Sequence, residues 1–272
     1  MKGSAMRLYA VKALLKFHWG YSVKRSVFSA SQPALLVPPP TALVGALARA
    51  ASYFHGWPEV IRDGPLMRSS ATLLLDRVRW TAIALVDERF VGPLLGLVET
   101  RDLTRALIAP YQRTDNVYPG SPLLFGVQPH GKVYAPSMKA AALFLATDER
   151  VADYARCILS VGSKESVVSV DEVTVSRAEV LDAREVETRY YFPSDLAEVL
   201  PGSEEGGVVR ELLSLPDASH YELARAKDLR ANWMEFVVPL GRVRVRLVEG
   251  AVAVLDPEGE AVVVPKRVVE GA

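Results

Sequence analysis

Residues 7–19 read RLYAVKALLKFHW, and residues 38–54 read PPPTALVGALARAASYF. In the first stretch, apolar side chains occupy every second position up to Trp19, which predicts a strand with one face, including Trp19, on a core. In the second, small and apolar side chains recur at helical spacing behind three prolines, which predicts a helix over about 41–54 with Thr41 as its cap. The chain therefore opens with a strand, a long loop and a helix.

Composition excludes several classes of protein. Of the 272 residues, 50% are hydrophobic and 24% charged, so the chain can bury a core and is neither disordered nor fibrous. The one cysteine, Cys157, excludes a disulfide framework and a cysteine-built zinc site, and no histidine spacing supports a metal site. We expect no cofactor. Because no apolar run could span a bilayer or serve as a signal peptide, we expect a cytoplasmic protein without a membrane partner.

Charge is distributed unevenly along the chain. Lys and Arg total 32 and so do Asp and Glu, but residues 1–58 carry seven basic residues and no acid, so the remainder carries a net charge of −7. The basic segment predicts a phosphate-facing surface, and the acidic remainder suits protein neighbours or solvent. Arg242, Arg244 and Arg246 alternate along one predicted strand, where we expect them to pair with nearby acids on a solvated sheet face.

The order of predicted elements indicates an α+β fold. After the first helix come a strand region over 71–86, a short helix over 100–108 and a buried strand over 139–147. A helix over 149–161 and a strand with an irregularity at 171–172 follow. The resulting β–α–β…β–α–β order fits a ferredoxin-like, split βαβ arrangement, which is RRM-like in topology.

The chain is expected to divide into two regions, of which the second is either a domain of its own or an extension of the sheet. Residues 1–182 would form the ferredoxin-like domain, with a Gly/Pro-rich arm inserted around 109–137, since a long turn-rich stretch inside a compact domain is usually functional. Residues 183–272 would form a mostly β region, a C-terminal antiparallel β extension that ends in a meander over 235–268.

Three groups of motifs carry a family resemblance. They are Phe28-Ser29 followed by PPPTALVGALA (38–48), LSVGSKES (159–166), and YQR (111–113) with FGVQPHGK (125–132). Together they resemble a CRISPR-associated family of the RAMP superfamily, the fifth Cas family, and its archaeal type I-A members in particular. The resemblance implies a ferredoxin-like fold and a cytoplasmic role in antiviral defence. It also implies a non-catalytic subunit of a type I Cascade complex that holds the crRNA 5′ handle.

The partners implied by the resemblance are the crRNA 5′ handle, the Cascade backbone subunit and, beyond these, the helicase/nuclease subunits. The alternative is a metal-independent endoribonuclease that processes precursor crRNA, with His130 or His18 acting together with Lys132 and a tyrosine.

The candidate RNA-binding residues fall on loops. Tyr21 and Phe28 are expected to stack on or wedge against bases. Lys24, Arg25 and Lys164 are expected to contact phosphates, and Arg113 and Lys132 to belong to a contacting arm. The set is Tyr21, Lys24, Arg25, Phe28, Ser29, Arg113, Lys132 and Lys164. Lys164 belongs to a tight Gly162-Ser163-Lys164 turn whose backbone N–H groups could hold a phosphate.

Overall fold

The computed structural model describes residues 7–23, 25, 33–64, 66–87, 98–107, 125–163, 165–203, 206–222 and 232–270. Over 98–107 and 125–130, and at Asp63, only the backbone is described.

Strands dominate the described residues. The first nine are β1 (Tyr9–Phe17), β2 (Gly20–Tyr21), β3 (Val60–Asp63), β4 (Leu66–Ser69), β5 (Val78–Leu85), β6 (Val98–Leu107), β7 (Phe125–Tyr134), β8 (Lys139–Ala146) and β9 (Val168–Arg177). The next nine are β10 (Glu179–Leu181), β11 (Glu185–Thr188), β12 (Phe192–Pro193), β13 (Ala197–Val199), β14 (Val208–Ser214), β15 (Trp233–Pro239), β16 (Val243–Leu247), β17 (Ala251–Leu255) and β18 (Ala261–Pro265). The helices are α1 (Pro40–His55), α2 (Val151–Arg156) and α3 (Lys266–Glu270), and 3₁₀ turns span Ser70–Leu74 and Ser219–Tyr221. The α+β class is confirmed.

A four-stranded antiparallel sheet in the order β5-β8-β1-β9 organises the first part of the chain. One face packs against the helices: the Thr81 hydroxyl on β5 donates to the Pro40 carbonyl of α1 at 3.4 Å. The other face is covered by the C-terminal strands: Lys12 of β1 is buried there and pairs with Asp256, between β17 and β18, at 2.8 Å. β1 is therefore central and buried on both faces, and the predicted irregularity in β9 is present as a shift in its register with β1.

The C-terminal residues form three small sheets. Their orders are β10-β17-β18, β11-β16-β13 and β12-β15-β14. The predicted meander is correct only for the β17–β18 hairpin, because β15 and β16 each pair with strands from earlier in the chain. The boundary between 182 and 183 stays a prediction. The largest buried cluster contains residues from both sides of it, such as Leu143 and Tyr190.

An antiparallel arm leaves the main sheet. β6 pairs with β7 along its full length, and β2 pairs with β7 at the arm's foot. The short helix predicted over 100–108 is therefore wrong, since long-range pairing with β7 overrides the local pattern. Gly20 is essential at the foot: its φ is +139°, and a Cβ there would lie 1.9 Å from the Val133 carbonyl oxygen.

Two helix predictions need correction. α2 is only six residues long, not the predicted 149–161. Thr41 is not a cap, because α1 begins at Pro40 with Pro39 as its N-cap residue. The Thr41 hydroxyl instead meets the Ser214 hydroxyl of β14 at 2.6 Å, and both are buried. In the described part of the chain, no helix combines the length and apolar character needed to cross a membrane.

Candidate nucleic-acid interface

An aromatic and cationic group lies at the foot of the arm. We call Trp19, Lys132 and Tyr134 the arm-foot cluster. The Lys132 ammonium lies 5.7 Å from the Trp19 ring centroid, within cation–π range. The Tyr134 ring is 5.5 Å from Trp19, whose indole N–H donates to the Glu165 carbonyl at 2.6 Å. All three members are half-buried, so Trp19 is a boundary residue and not the core residue that its alternation predicts.

The glycine-containing loop after α2 packs against the end of β2. Gly162 adopts a φ of +89°, and a Cβ there would lie 2.6 Å from the Val23 side chain. The Ser163 N–H donates to the Ser22 carbonyl at 3.1 Å. That N–H is therefore bonded within the protein and is not available to a phosphate, contrary to what the predicted phosphate-binding turn would require. Instead, the loop fixes Ser22, whose hydroxyl donates to the Gly131 carbonyl on the arm at 2.8 Å.

An open cleft of about 1020 Å³ adjoins the arm-foot cluster along one side of α1. We call it the α1 cleft. Its floor is a strip of mostly small residues on α1, and its walls carry many hydroxyl groups. Residues lining it include Ala42, Gly45, Arg49, Ser52 and Tyr53 of α1, together with Ser22, Trp57, Ser69, Ser70, Lys132, Ser160, Ser163, His220 and Trp233.

Arg49 supplies the positive charge on the floor of the α1 cleft. It is exposed and donates to the neutral Ser160 hydroxyl at 3.1 Å. Within the described ranges no carboxylate pairs with it, so its charge is available to an anionic ligand. Glu59 and Glu165 also line the cleft, so its net charge is not strongly positive. Affinity there would depend on stacking and hydroxyl contacts as well as on charge.

Aromatic side chains stand at both ends of the α1 cleft. Tyr53 is 67% exposed near the end of α1, and the Trp57 ring stacks on His55 at 4.6 Å. Trp233 and His220 lie at the other end. Burial lowers the pKa of the His220 ring below its ordinary value, against the opposing charge of Asp217, so the ring is neutral at pH 7.

The N-terminal basic segment is partly neutralised within the molecule. Lys12 is buried and pairs with Asp256 at 2.8 Å and with Glu258 at 2.7 Å. Arg25 pairs with Glu211 at 3.1 Å. The acidic remainder of the chain thus supplies partners for at least two of the seven basic residues, and these two cannot be counted in full toward a phosphate-facing surface.

Comparisons with known proteins bear on this site. No family model matches the chain. The chain is 31% identical over 184 residues to the CRISPR system aCascade subunit Cas5 1 of Saccharolobus solfataricus, covering 66% of this chain and 70% of that protein. This chain belongs to the Cas5 family. It is also 28% identical to the CRISPR-associated protein Cas5 3 of the same organism, over 84% of this chain and 98% of that one.

A solved structure supports the fold of this Cas5 chain. The crystal structure of a CRISPR protein from Archaeoglobus fulgidus matches with a TM-score of 0.58 at 18% identity, covering 94% of this chain and 99% of that one. At this identity the likeness bears on the fold alone. The suspected family, and with it a CRISPR-associated role, is confirmed.

The residues predicted to bind RNA in this Cas5 chain differ in where the structure places them. Five of them lie outside the described residues: Lys24, Phe28, Ser29, Arg113 and Lys164. Tyr21 has no exposed surface and its hydroxyl donates to the Leu36 carbonyl, so it is a core residue and offers no ring face to a base. Arg25 and Lys132 lie at the surface on neighbouring segments, at the loop after β2 and at the arm foot.

The histidines of the enzymatic alternative are only partly described. The ring Nε2 of the exposed His18 lies 2.7 Å from the Ser169 hydroxyl. The side chain of His130 lies outside the described residues. No group of three or more metal-ligating side chains occurs among the described residues.

Sequence reasoning missed Tyr134 and Arg49 and placed Trp19 in the core. The sequence did distinguish Arg49, because it is the one Lys, Arg, Asp or Glu residue of α1. The three alternating arginines, Arg242 just before β16 and Arg244 and Arg246 on it, pair with acids as predicted. Arg242 pairs with Glu187 at 3.1 Å, and Arg246 with Glu185 at 2.9 Å.

Proposed function

We propose that this Cas5 chain is a non-catalytic crRNA-binding subunit of a type I CRISPR interference (Cascade) complex, of type I-A, acting in antiviral defence. It would hold the crRNA 5′ handle and contact the backbone subunit, and the helicase/nuclease subunits would be further partners. The name of one relative, the CRISPR system aCascade subunit Cas5 1, supports membership of such a complex.

The observation that carries the RNA-binding proposal is the arm-foot cluster opening on the α1 cleft. Single-stranded RNA is bound by aromatic faces on which bases stack and by cations that follow the backbone. Trp19 and Tyr134 supply the faces, and Lys132 lies 5.7 Å from the Trp19 ring. Arg49 extends the positive charge along the cleft. Arg25, on the segment before α1, is the further candidate contact.

The fold supports the same assignment. We place the four-stranded sheet in the ferredoxin-like class, because β1, β5, β8 and β9 with α1 and α2 follow the β–α–β, β–α–β order. The spatial order β5-β8-β1-β9 puts the first and third of these strands side by side at the centre, as a split βαβ unit requires. The sheet face away from the helices is covered by C-terminal strands. The surfaces that we assign to RNA binding are therefore the helix side of this sheet and the arm.

A salt titration tests RNA binding by the purified full-length chain, using labelled RNA that carries the repeat-derived 5′ handle. Each phosphate neutralised on single-stranded RNA contributes a slope of about −0.7 to log K against log salt. Lys132→Ala and Arg49→Ala should each weaken binding and reduce the slope by about that amount. Arg244→Ala is the matched control, because Arg244 is exposed but pairs with Glu185 at 3.4 Å.

Two results would contradict this proposal. Binding that does not change with salt, and that neither substitution weakens, would remove the cleft and arm foot as an RNA site. Discrete cleavage of labelled repeat RNA in EDTA, abolished by His130→Ala, would favour the endoribonuclease instead. Co-purification of the chain with its complex would identify the RNA and the subunits that accompany it.

A further inference from the structure

A carboxylate from the C-terminal part of the chain reaches the segment that carries Arg25. The Glu211 side chain on β14 is 2% exposed. Its two oxygens accept the Leu36 N–H at 3.0 and 2.9 Å, and one of them accepts from Arg25 Nη2 at 3.1 Å. Leu36 and Arg25 lie on opposite sides of residues 26–32. A single carboxylate therefore joins both sides.

The segments on either side form a paired stem. We call residues 21–23, 25 and 33–37 the loop stem. The Leu35 N–H donates to the Val23 carbonyl at 2.8 Å, and the Arg25 N–H donates to the Pro33 carbonyl at 3.2 Å. The Leu36 carbonyl accepts the Tyr21 hydroxyl. Glu211 thus holds Leu36 from one side while Tyr21 holds it from the other, and the geometry of the stem depends on both.

The end of β14 and the residues that follow it contact the first turn of α1. Ser214 contacts the Thr41 hydroxyl at 2.6 Å, and Tyr221, just beyond β14, donates its hydroxyl to the Thr41 carbonyl at 3.0 Å. One C-terminal segment therefore contacts both the loop stem and the first turn of α1. That turn borders the α1 cleft, so β14 fixes the relative positions of Arg25 and the cleft.

Stability alone does not explain a carboxylate at this position. Burial raises the pKa of Glu211 above its ordinary value, although hydrogen bonds from Leu36 and Arg25 oppose the shift. The charged form is therefore less favourable here than in water. The pairing with Arg25 offsets little of this cost, because the Arg25 side chain is 55% exposed and an exposed cation contributes little to stability. A role beyond folding would account for its presence.

We propose that Glu211 is a positioning residue for RNA binding, which holds the loop stem and the Arg25 guanidinium in the arrangement that meets the RNA backbone. This inference rests on the proposed RNA-binding function. It assigns a task to the C-terminal part of the chain: β14 acts as the support on which the N-terminal binding elements are fixed.

Glu211→Gln tests the inference in the full-length chain. The amide keeps the shape and one acceptor oxygen but loses the charge that holds Arg25. We expect the dissociation constant for labelled handle RNA to rise about tenfold, as for the loss of a charge-assisted hydrogen bond. The Leu36 amide should exchange its hydrogen faster. The thermal midpoint should change little, because the substitution leaves no buried charge unpaired: Arg25 is exposed. Glu235→Gln is the control, because Glu235 lies on neighbouring β15 and pairs with exposed Arg210 at 2.6 Å.

Glu211→Asp provides a second variant if the glutamine variant folds poorly. It keeps the charge but shortens the side chain, so it should not reach Leu36 and Arg25 together and should also weaken binding. Wild-type affinity in either folded variant, despite faster exchange at Leu36, would overturn this inference alone. A wild-type chain that fails to bind the RNA at any salt concentration would overturn the proposed function as well.

Discussion

The ammonium nitrogen of Lys12 lies 2.8 Å from Oδ2 of Asp256, although the two residues come from near opposite ends of the sequence. Lys12 is on the central strand β1, and Asp256 follows β17 in the turn of the β17–β18 hairpin. Asp256 also accepts the Tyr190 hydroxyl at 2.9 Å and the backbone N–H groups of Glu258 and Glu260. This network attaches the C-terminal strands to the covered face of the main sheet.

Breaking this buried pair should destabilise the protein strongly. Lys12→Met keeps the apolar stem but leaves the Asp256 carboxylate buried without its cation, which costs about 3–5 kcal/mol. The free energy of unfolding, measured by urea titration, should fall by that amount. Lys16→Met on the same strand is the control, since Lys16 pairs with no carboxylate within the described residues and should change stability by about 0.5 kcal/mol or less. Equal effects of the two substitutions would exclude a stabilising role for the pair.

The same pair predicts a dependence of stability on pH. Burial would raise the pKa of Asp256, but bonds from Lys12 and the backbone outweigh it and hold the pKa below the ordinary value of 3.8. As pH falls below 3.8 the unfolded chain takes up the proton first, so this stabilisation is present at neutral pH and is lost on acidification. The urea midpoint should decline less steeply below pH 4 in Asp256→Asn than in wild type.

The buried Glu211 and the half-buried Glu260 oppose this trend at higher pH. Burial raises the pKa values of Glu211 and Glu260 above the ordinary value, so the folded state takes up their protons first as pH falls. Their contribution to stability therefore grows on mild acidification. Comparing Asp256→Asn with wild type separates the aspartate from this background. Parallel midpoint curves for the two proteins would contradict a depressed Asp256 pKa.

The local elements could be read from the sequence, and the long-range pairings could not. Alternation identified β1, and helical spacing behind prolines identified α1, because both patterns lie within one segment. The strand β6 was read as a helix since its partner β7 is distant in sequence. Lys12 was counted as a phosphate-facing cation for the same reason: its carboxylate partners lie in the last part of the chain.

The site was predicted in outline. Lys132 was identified on the arm, but its neighbour Tyr134 belongs to a strand whose pairing with β2 was not foreseen. Burial of Tyr21 was not foreseen, because β1 ends at Phe17 and Tyr21 belongs to the separate strand β2, whose partner β7 is distant in sequence. The role of Glu211 was not foreseen either, since no local pattern distinguishes a glutamate that accepts a distant backbone N–H from a solvated one.

Gly20→Ala should disrupt the foot of the arm. The added Cβ would lie 1.9 Å from the Val133 carbonyl oxygen at a φ of +139°, so the β2–β7 pairing cannot persist unchanged. We expect a loss of about 3 kcal/mol or more in the free energy of unfolding, together with weaker RNA binding. Gly250→Ala is the control: it also has a positive φ, of +90°, but a Cβ there meets nothing within 4 Å. If the free energy of unfolding falls equally in both variants, the strain of a positive φ alone would account for the loss, and the clash with Val133 would not be needed to explain it.

Gly45 allows the α1 cleft to be blocked without disturbing the core. It lies mid-helix and lines the cleft, and a Cβ there meets nothing within 4 Å. Gly45→Ala should stabilise α1 by about 0.5–1 kcal/mol, because glycine is unfavourable inside a helix. Gly45→Leu should also fold, but its side chain would occupy the cleft. We expect RNA affinity to fall at least about tenfold, the loss of roughly one stacked base.

The pair of substitutions separates occlusion from folding. The alanine variant should bind RNA like wild type, so it controls for changes in the helix itself, and thermal unfolding of both variants verifies that the fold is kept. If the leucine variant binds with wild-type affinity, the RNA does not enter the α1 cleft, and binding by the arm-foot cluster would have to proceed without it. Because Arg49 lies one helical turn from Gly45, the leucine variant should also lose the part of the salt dependence that Arg49 contributes.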